Sequence, residues 1–228
     1  MIHYHGTPLT PRAELYKMAG KHFCVSFAHP DDAKVCLQIG QSIMWDNGAF
    51  TVYTQGKKFD VNKYYNWLEE RLAHPHWAVI PDVIGGGEAQ QKQLLASWPF
   101  AVGLGAAVWH MHMSLDYLEF LADRFPKICF GSSGDYWEIG TSKWCGRADA
   151  AFNRLAKNNH TPWVHMLRGL AQAGKRWPFA SADSVNVARN YKDKKTCPEK
   201  MARRIDSVQS PIHWSMQPEQ KNLLLKGG

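Results

Sequence analysis

Apolar residues in this chain fall into short runs that alternate with longer stretches in which they return every third or fourth position. The short runs are rich in β-branched and aromatic residues and close on Gly, Pro, Asp, Asn or Ser: IHYHGT (2–7), HFCVSF (22–27), SIMWDN (42–47), WAVIPDV (77–83), AAVWHM (106–111), KICFGS (127–132), WVHMLRG (163–169) and FASADS (179–184). Each reads as a strand. Helical spacing runs through 11–20, 31–40, 61–73, 87–98, 114–125 and 146–158, with Gly20 and Gly40 as closing residues and Ser114 as an N-cap. The seventh connection, LAQAGKRW (170–177), has room for barely two helical turns. Strand alternating with helix through eight units predicts an α/β fold, a (β/α)8 TIM-type barrel; an open doubly wound parallel sheet is the other arrangement that this alternation permits.

A length of 228 residues suits one such domain. The barrel is expected over 1–190, with 191–228 as a basic C-terminal extension packed on or beside it. An apolar fraction of 45% with ten Trp supplies a core, and no stretch approaches the roughly 18 uncharged apolar residues of a membrane span. The opening MIHYHGTPLTPRAEL shows no basic segment followed by an apolar run, so a cytoplasmic protein without a membrane partner is expected. Cys24, Cys36, Cys129, Cys145 and Cys197 are scattered without CxxC spacing, which argues for reduced thiols rather than a disulfide framework. The net charge of +7 is consistent with a polyanionic partner. Its densest basic run, KDKKTCPEKMARR (192–204), reads equally as a solvated helix or as a phosphate-contacting surface.

In a barrel, reactive groups gather where strands end at their carboxyl side. Those ends carry His5, Ser26 with His29, Asp46, Asp82, His110 with His112, Ser132 with Ser133, Arg168 and Asp183. Any one of the three carboxylates reads as a cap or a structural ion pair; three at the ends of strands three, four and eight suggest a site. The segment MWDNGAF (44–50) is likewise a turn on its own, since Asp, Asn and Gly all favour turns.

The same residues carry a resemblance. Asp46-Asn47-Gly48-Ala49-Phe50 resembles the SDSGGFQ segment of tRNA-guanine transglycosylases, and Ala182-Asp183-Ser184-Val185 with Ala188-Arg189-Asn190 is similar to the family's DCVMPTRNARNG, shortened and lacking Pro-Thr-Arg. Ile80-Pro81-Asp82 stands in the place of the base-recognising aspartate, and Phe130-Gly131-Ser132-Ser133-Gly134 in that of a Gly-Gly-Leu loop. The likeness keeps its order over roughly residues 40 to 190. Small chains of this kind resemble the phage branch, which exchanges guanine in DNA for a 7-deazaguanine such as 7-cyano-7-deazaguanine. The family's zinc motif, CxCxxC with a distant His, is not reproduced: Cys197 and His213 are too few ligands for a closed site. No metal and no cofactor are therefore expected, and DNA is favoured over tRNA as the nucleic-acid partner.

The resemblance implies a double displacement at C1′, as in retaining glycosidases. Asp183 is the implied nucleophile and Asp46 the proton handler. Asp82 would accept the two adjacent donors of the guanine edge, with amides near Gly131 and Ser132 on the base carbonyl. Gly48 would admit the base to the backbone, and Phe50 would stack on it unless it is core packing. His110 would meet the 7-substituent unless a backbone group satisfies it. Arg189, Lys192, Arg203 and Arg204 would hold phosphates. Two other classes compete: a metal-dependent amidohydrolase barrel, whose layout His3, His5, His110 and Asp183 imitate, and a non-catalytic nucleic-acid-binding barrel.

Overall fold

The computed structural model describes residues 1–193 and 196–217. Eight parallel strands close into a barrel in chain order: β1 (Ile2–Gly6), β2 (His22–Ser26), β3 (Ser42–Asp46), β4 (Trp77–Val79), β5 (Gly105–His110), β6 (Lys127–Gly131), β7 (Trp163–Met166) and β8 (Ser181–Ser184), with β1 pairing both β2 and β8. The fold is a (β/α)8 barrel, and the open-sheet alternative is excluded by that closure. Outside the strands lie α1 (Arg12–Tyr16), α2 (Ala33–Ile39), α3 (Ala49–Thr54), α4 (Val61–Glu69), α5 (Glu88–Ala96), α6 (Leu115–Ala122), α7 (Ser142–Lys157), α8 (Asn186–Asn190) and α9 (Pro198–Asp206). Between β7 and β8 stands only a 3-10 turn, Leu170–Gln172. No helix among the described residues is long and apolar enough to cross a membrane.

The helices follow from capping and spacing. Ser114 accepts the Tyr117 amide at 3.0 Å, as its N-cap position predicts, and α6 buries Tyr117, Leu118 and Leu121. Thr141 caps α7, whose buried Trp144, Ala148, Ala151, Phe152 and Leu155 return at helical spacing, while Arg154 and Lys157 face the negative end of its dipole.

Two strands stop earlier than the apolar pattern suggests. In β4, Pro81 has no N–H to continue the ladder. Side chains tie the strand ends instead: the Tyr64 hydroxyl lies 3.1 Å from the Trp45 carbonyl and 2.9 Å from that of Val79, and the Asn47 amide donates to the Ile80 carbonyl at 3.1 Å. Strand β7 stops because Arg168 turns into the left-handed region at φ 55°.

Alternation along the strands sorts the core into two shells. Tyr4, Cys24, Met44, Trp77, Val79, Ala106, Val108 and Cys129 fill the cylinder, while the intervening residues pack outward against the helices. The Trp77 indole N–H donates to the Tyr4 hydroxyl at 2.8 Å, so the floor is closed by large rings that satisfy one another. Inward positions are polar at the carboxyl ends and again at the amino ends of β2 and β3, where His22 Nδ1 lies 2.7 Å from the Ser42 hydroxyl. The expected C-terminal extension is described to Gln217 apart from 194–195; its remainder lies outside the described residues. Helix α9 packs beside β1. Farther on, the Trp214 ring meets Phe152 at 5.4 Å and its N–H donates to Asn153 at 2.9 Å, covering apolar surface that a seventh helix would cover in a regular barrel.

Candidate active site

Three carboxylates converge at the mouth. Asp46 ends β3 with its side chain inward, opposite Ser26 of β2 in the ladder. Its carboxylate accepts the Gly48 amide at 3.1 Å. Burial pushes its pKa up to about 6, and the charges of Asp183 and Asp82 push the same way, against the Ser26 hydroxyl and the Gly48 amide. Beneath the acids, burial first and then the charges of Asp183, Asp82 and Asp46 raise the Cys129 thiol. One buried thiol thus reports all three acids from below.

Asp183 is held by one oxygen. Its Oδ1 accepts the Arg168 amide at 2.6 Å and lies 3.2 Å from His165 Nε2. His165 is buried, and its Nδ1 stands 2.7 Å from the Ser181 hydroxyl. With Asp183 ionised, Nε2–H donates to the carboxylate and Nδ1 accepts from Ser181, which fixes the tautomer. Oδ2 of Asp183 takes no hydrogen bond from the described residues. Asp82 is held by both oxygens: Asn47 Nδ2 donates to Oδ1 at 2.7 Å and His110 Nε2 to Oδ2 at 2.8 Å. Each oxygen keeps a second lone pair without a partner among the described residues.

The expected residues divide accordingly. Asp46, Asp82, Asp183 and His110 meet at the mouth, and His110 is satisfied by Asp82 rather than by a backbone group. Gly131 leaves room for His110, since a Cβ there would lie 3.2 Å from the imidazole. The Ser132 hydroxyl is taken by the Trp144 indole at 2.9 Å. Gly48 adopts φ 74° at the start of α3, and a Cβ on it would stand 3.1 Å from Ala28. Turn geometry and the neighbouring β2 loop therefore require this glycine. Phe50 is not core packing: it is 48% exposed, with the Arg168 guanidinium 3.9 Å from its ring centre. Since β3 and β7 stand four strands apart in the ring, this stacked pair bridges the mouth.

The expected phosphate contacts divide between the segment that follows β8 and helix α9. Arg189 is exposed on α8 and Lys192 just beyond it. Arg203 pairs with Glu199, and Arg204 lines a side groove of about 360 Å³ with Leu170, Asn186 and Ile205. His3 and His5 leave the mouth. Tyr4 takes the inward position between them, so both imidazoles face α9, where His5 Nε2 lies 2.9 Å from Asp206. That removes the HxH arm of the amidohydrolase layout, and among the described residues no three His, Cys, Asp or Glu side chains group as a metal site. His165 and Asn47 went unnoticed in the strand-end reading. His165 sits inside its strand, and only the two-residue alternation from Trp163 points to it.

Comparison with known proteins returns no match to a family model, a curated protein or a solved structure.

Proposed function

We propose that the protein is a nucleobase transglycosylase that exchanges guanine in nucleic acid, DNA ahead of tRNA, for a 7-deazaguanine. The observation that carries the reading is the pairing of two unlike carboxylates at one mouth: Asp183 clamped through Oδ1 with Oδ2 open, and Asp46 kept protonated to about pH 6 by burial and neighbouring charge. A buried acid with raised proton affinity beside a second acid with an open oxygen suits an acid–base and nucleophile division of labour.

In the first step Asp183 Oδ2 bonds to C1′ as the C1′–N9 bond breaks, and the leaving guanine takes the electron pair and a proton from Asp46. In the second, Asp46 as carboxylate removes the N9 proton of the incoming base, which attacks C1′ and releases Asp183. Proton transfer of this kind contributes about 100 to 10,000-fold. Asp82, immobilised by Asn47 and His110, presents its remaining lone pairs to the guanine N1–H and exocyclic amine. The face of Phe50 now covered by Arg168 is where the base would stack, so Arg168 must swing aside on binding.

The test is incubation with DNA and with tRNA carrying labelled guanine, with and without 7-cyano-7-deazaguanine. The expected result is release of label from DNA that depends on the incoming base. Without that base, a denaturation-resistant protein–DNA adduct should form and should be lost in Asp183→Asn. Label retained on both nucleic acids, or full exchange by Asp183→Asn, rejects the reading and leaves the non-catalytic barrel.

A further inference from the structure

We propose that the rim of the barrel mouth is a stacking platform for an unpaired nucleic-acid strand, with Tyr53 and Trp137 taking the bases that flank the one entering the site. The proposal rests on the nucleobase reading of that site and adds the form of substrate it accepts.

The chain buries its large rings: Trp45, Trp77, Trp109, Trp144 and Trp177 are all but sealed from solvent. Against that background Trp137 is 70% exposed and Tyr53 60% exposed. Tyr53 stands on α3, one turn beyond Phe50, and Trp137 on the loop that leaves β6. Both segments follow the carboxyl ends of strands, hence lie on the face that carries the three acids. A lone exposed aromatic needs no explanation, but three on one face with no ring partner among the described residues do.

Charge on the same face chooses the occupant. Lys57 and Lys58, just past α3, are exposed and form no ion pair with the described residues, and neither does Arg168. Of the two acids beside Trp137, Asp135 is neutralised by Lys143 at 2.8 Å, while Glu138 is exposed and forms no ion pair with the described residues. A protein partner calls for one contiguous apolar core. Here the rings stand apart, with Lys57 and Lys58 on the segment that follows Tyr53 and Arg168 over Phe50, which suits bases spaced along a phosphate backbone. In a duplex the faces of neighbouring bases are already stacked on each other, so only an unpaired strand offers them to Tyr53 and Trp137.

The experiment measures fluorescence anisotropy of a short labelled oligonucleotide, single-stranded and as a duplex of the same sequence, with the full chain. The unpaired strand should bind more tightly. Trp137→Ala and Tyr53→Ala should each weaken it about tenfold, the range expected of one base–aromatic stack, while Trp137→Phe and Tyr53→Phe keep most of the affinity. Both alanine variants should melt as the parent does, because both side chains are exposed. Lys57→Gln with Lys58→Gln should flatten the salt dependence. Parent-like binding by both alanine variants, or a duplex bound as tightly as the strand, overturns the platform. Guanine exchange measured in parallel separates the two ideas: ring-dependent binding without exchange keeps the platform and removes the transglycosylase, and exchange with ring-independent binding does the reverse.

Discussion

Two Asp–His pairs of this molecule use the same chemistry in opposite ways. At the mouth, His165 and the Arg168 amide hold Asp183 by Oδ1 and leave Oδ2 open. On the outer wall, His5 takes Oδ1 of Asp206 at 2.9 Å while Lys21 takes Oδ2 at 2.6 Å. The first carboxylate is positioned and the second is consumed. Asp82 lies between them, with one oxygen held by the Asn47 amide and the other by His110. What decides the use of such a pair is the partner of the second oxygen.

The largest effect that tests this contrast belongs to the open oxygen. Asp183→Asn removes the proposed nucleophile and should lower the proposed exchange by at least about 10,000-fold, as loss of a covalent nucleophile does, with oligonucleotide binding retained in anisotropy. Asp46→Asn should abolish most exchange while making the protein more stable. An acid whose folded pKa, about 6, lies above its ordinary value of 3.8 carries a penalty when ionised. That penalty is absent below the unfolded pKa and grows as pH rises to the folded one. The variant should therefore gain on the order of 2 to 3 kcal/mol in chemical denaturation at pH 8 and nothing at pH 4. An equal gain at both pH values would show that Asp46 is not a desolvated acid.

The sequence foretold the barrel because its eight apolar runs and their helical intervals are local properties, set by side-chain period and by caps such as Ser114. It foretold which acids face the mouth, since Asp46 and Asp183 share the inward register with Met44 and Ser181. It did not foretell partners. His5 and His110 each end an apolar run, yet one faces α9 and the other Asp82, a difference of strand parity that a one-residue slip in reading reverses. Nor does local pattern announce that Arg168 reaches Phe50 across four strands.

His165 separates positioning from chemistry. Gln in its place can still donate one hydrogen bond to Asp183 but cannot reproduce the fixed Ser181–imidazole–carboxylate line. His165→Gln should lower exchange by roughly 10 to 100-fold, on the scale of a lost supporting contact, with the loss in kcat rather than in KM. An unchanged kcat with raised KM would place His165 in binding instead.

The smallest effect belongs to the consumed pair. Burial of Asp206 raises its proton affinity, but hydrogen bonds from His5 and Lys21 outweigh it and hold the pKa below the usual range. A depressed folded value contributes stability that is present above the unfolded pKa and lost as pH falls through the folded one. Asp206 is 31% exposed, so solvent screening keeps the expected loss in Asp206→Asn to about 1 kcal/mol at pH 7. Beside it, His3 has both ring nitrogens buried without a hydrogen-bond partner among the described residues, and burial pushes its pKa to about 4. A base so depressed favours the folded state above its unfolded value near 6.5 and withdraws that support as pH falls toward 4. His3 imposes that loss on parent and variant alike, so the deficit of Asp206→Asn should hold from pH 7 down to about pH 5 and shrink below about pH 4 as the parent protonates Asp206, while exchange at pH 7 stays at the parental rate. Loss of exchange in step with stability would mean that the wall and the mouth are one cooperative unit and that the contrast between the two pairs is only apparent.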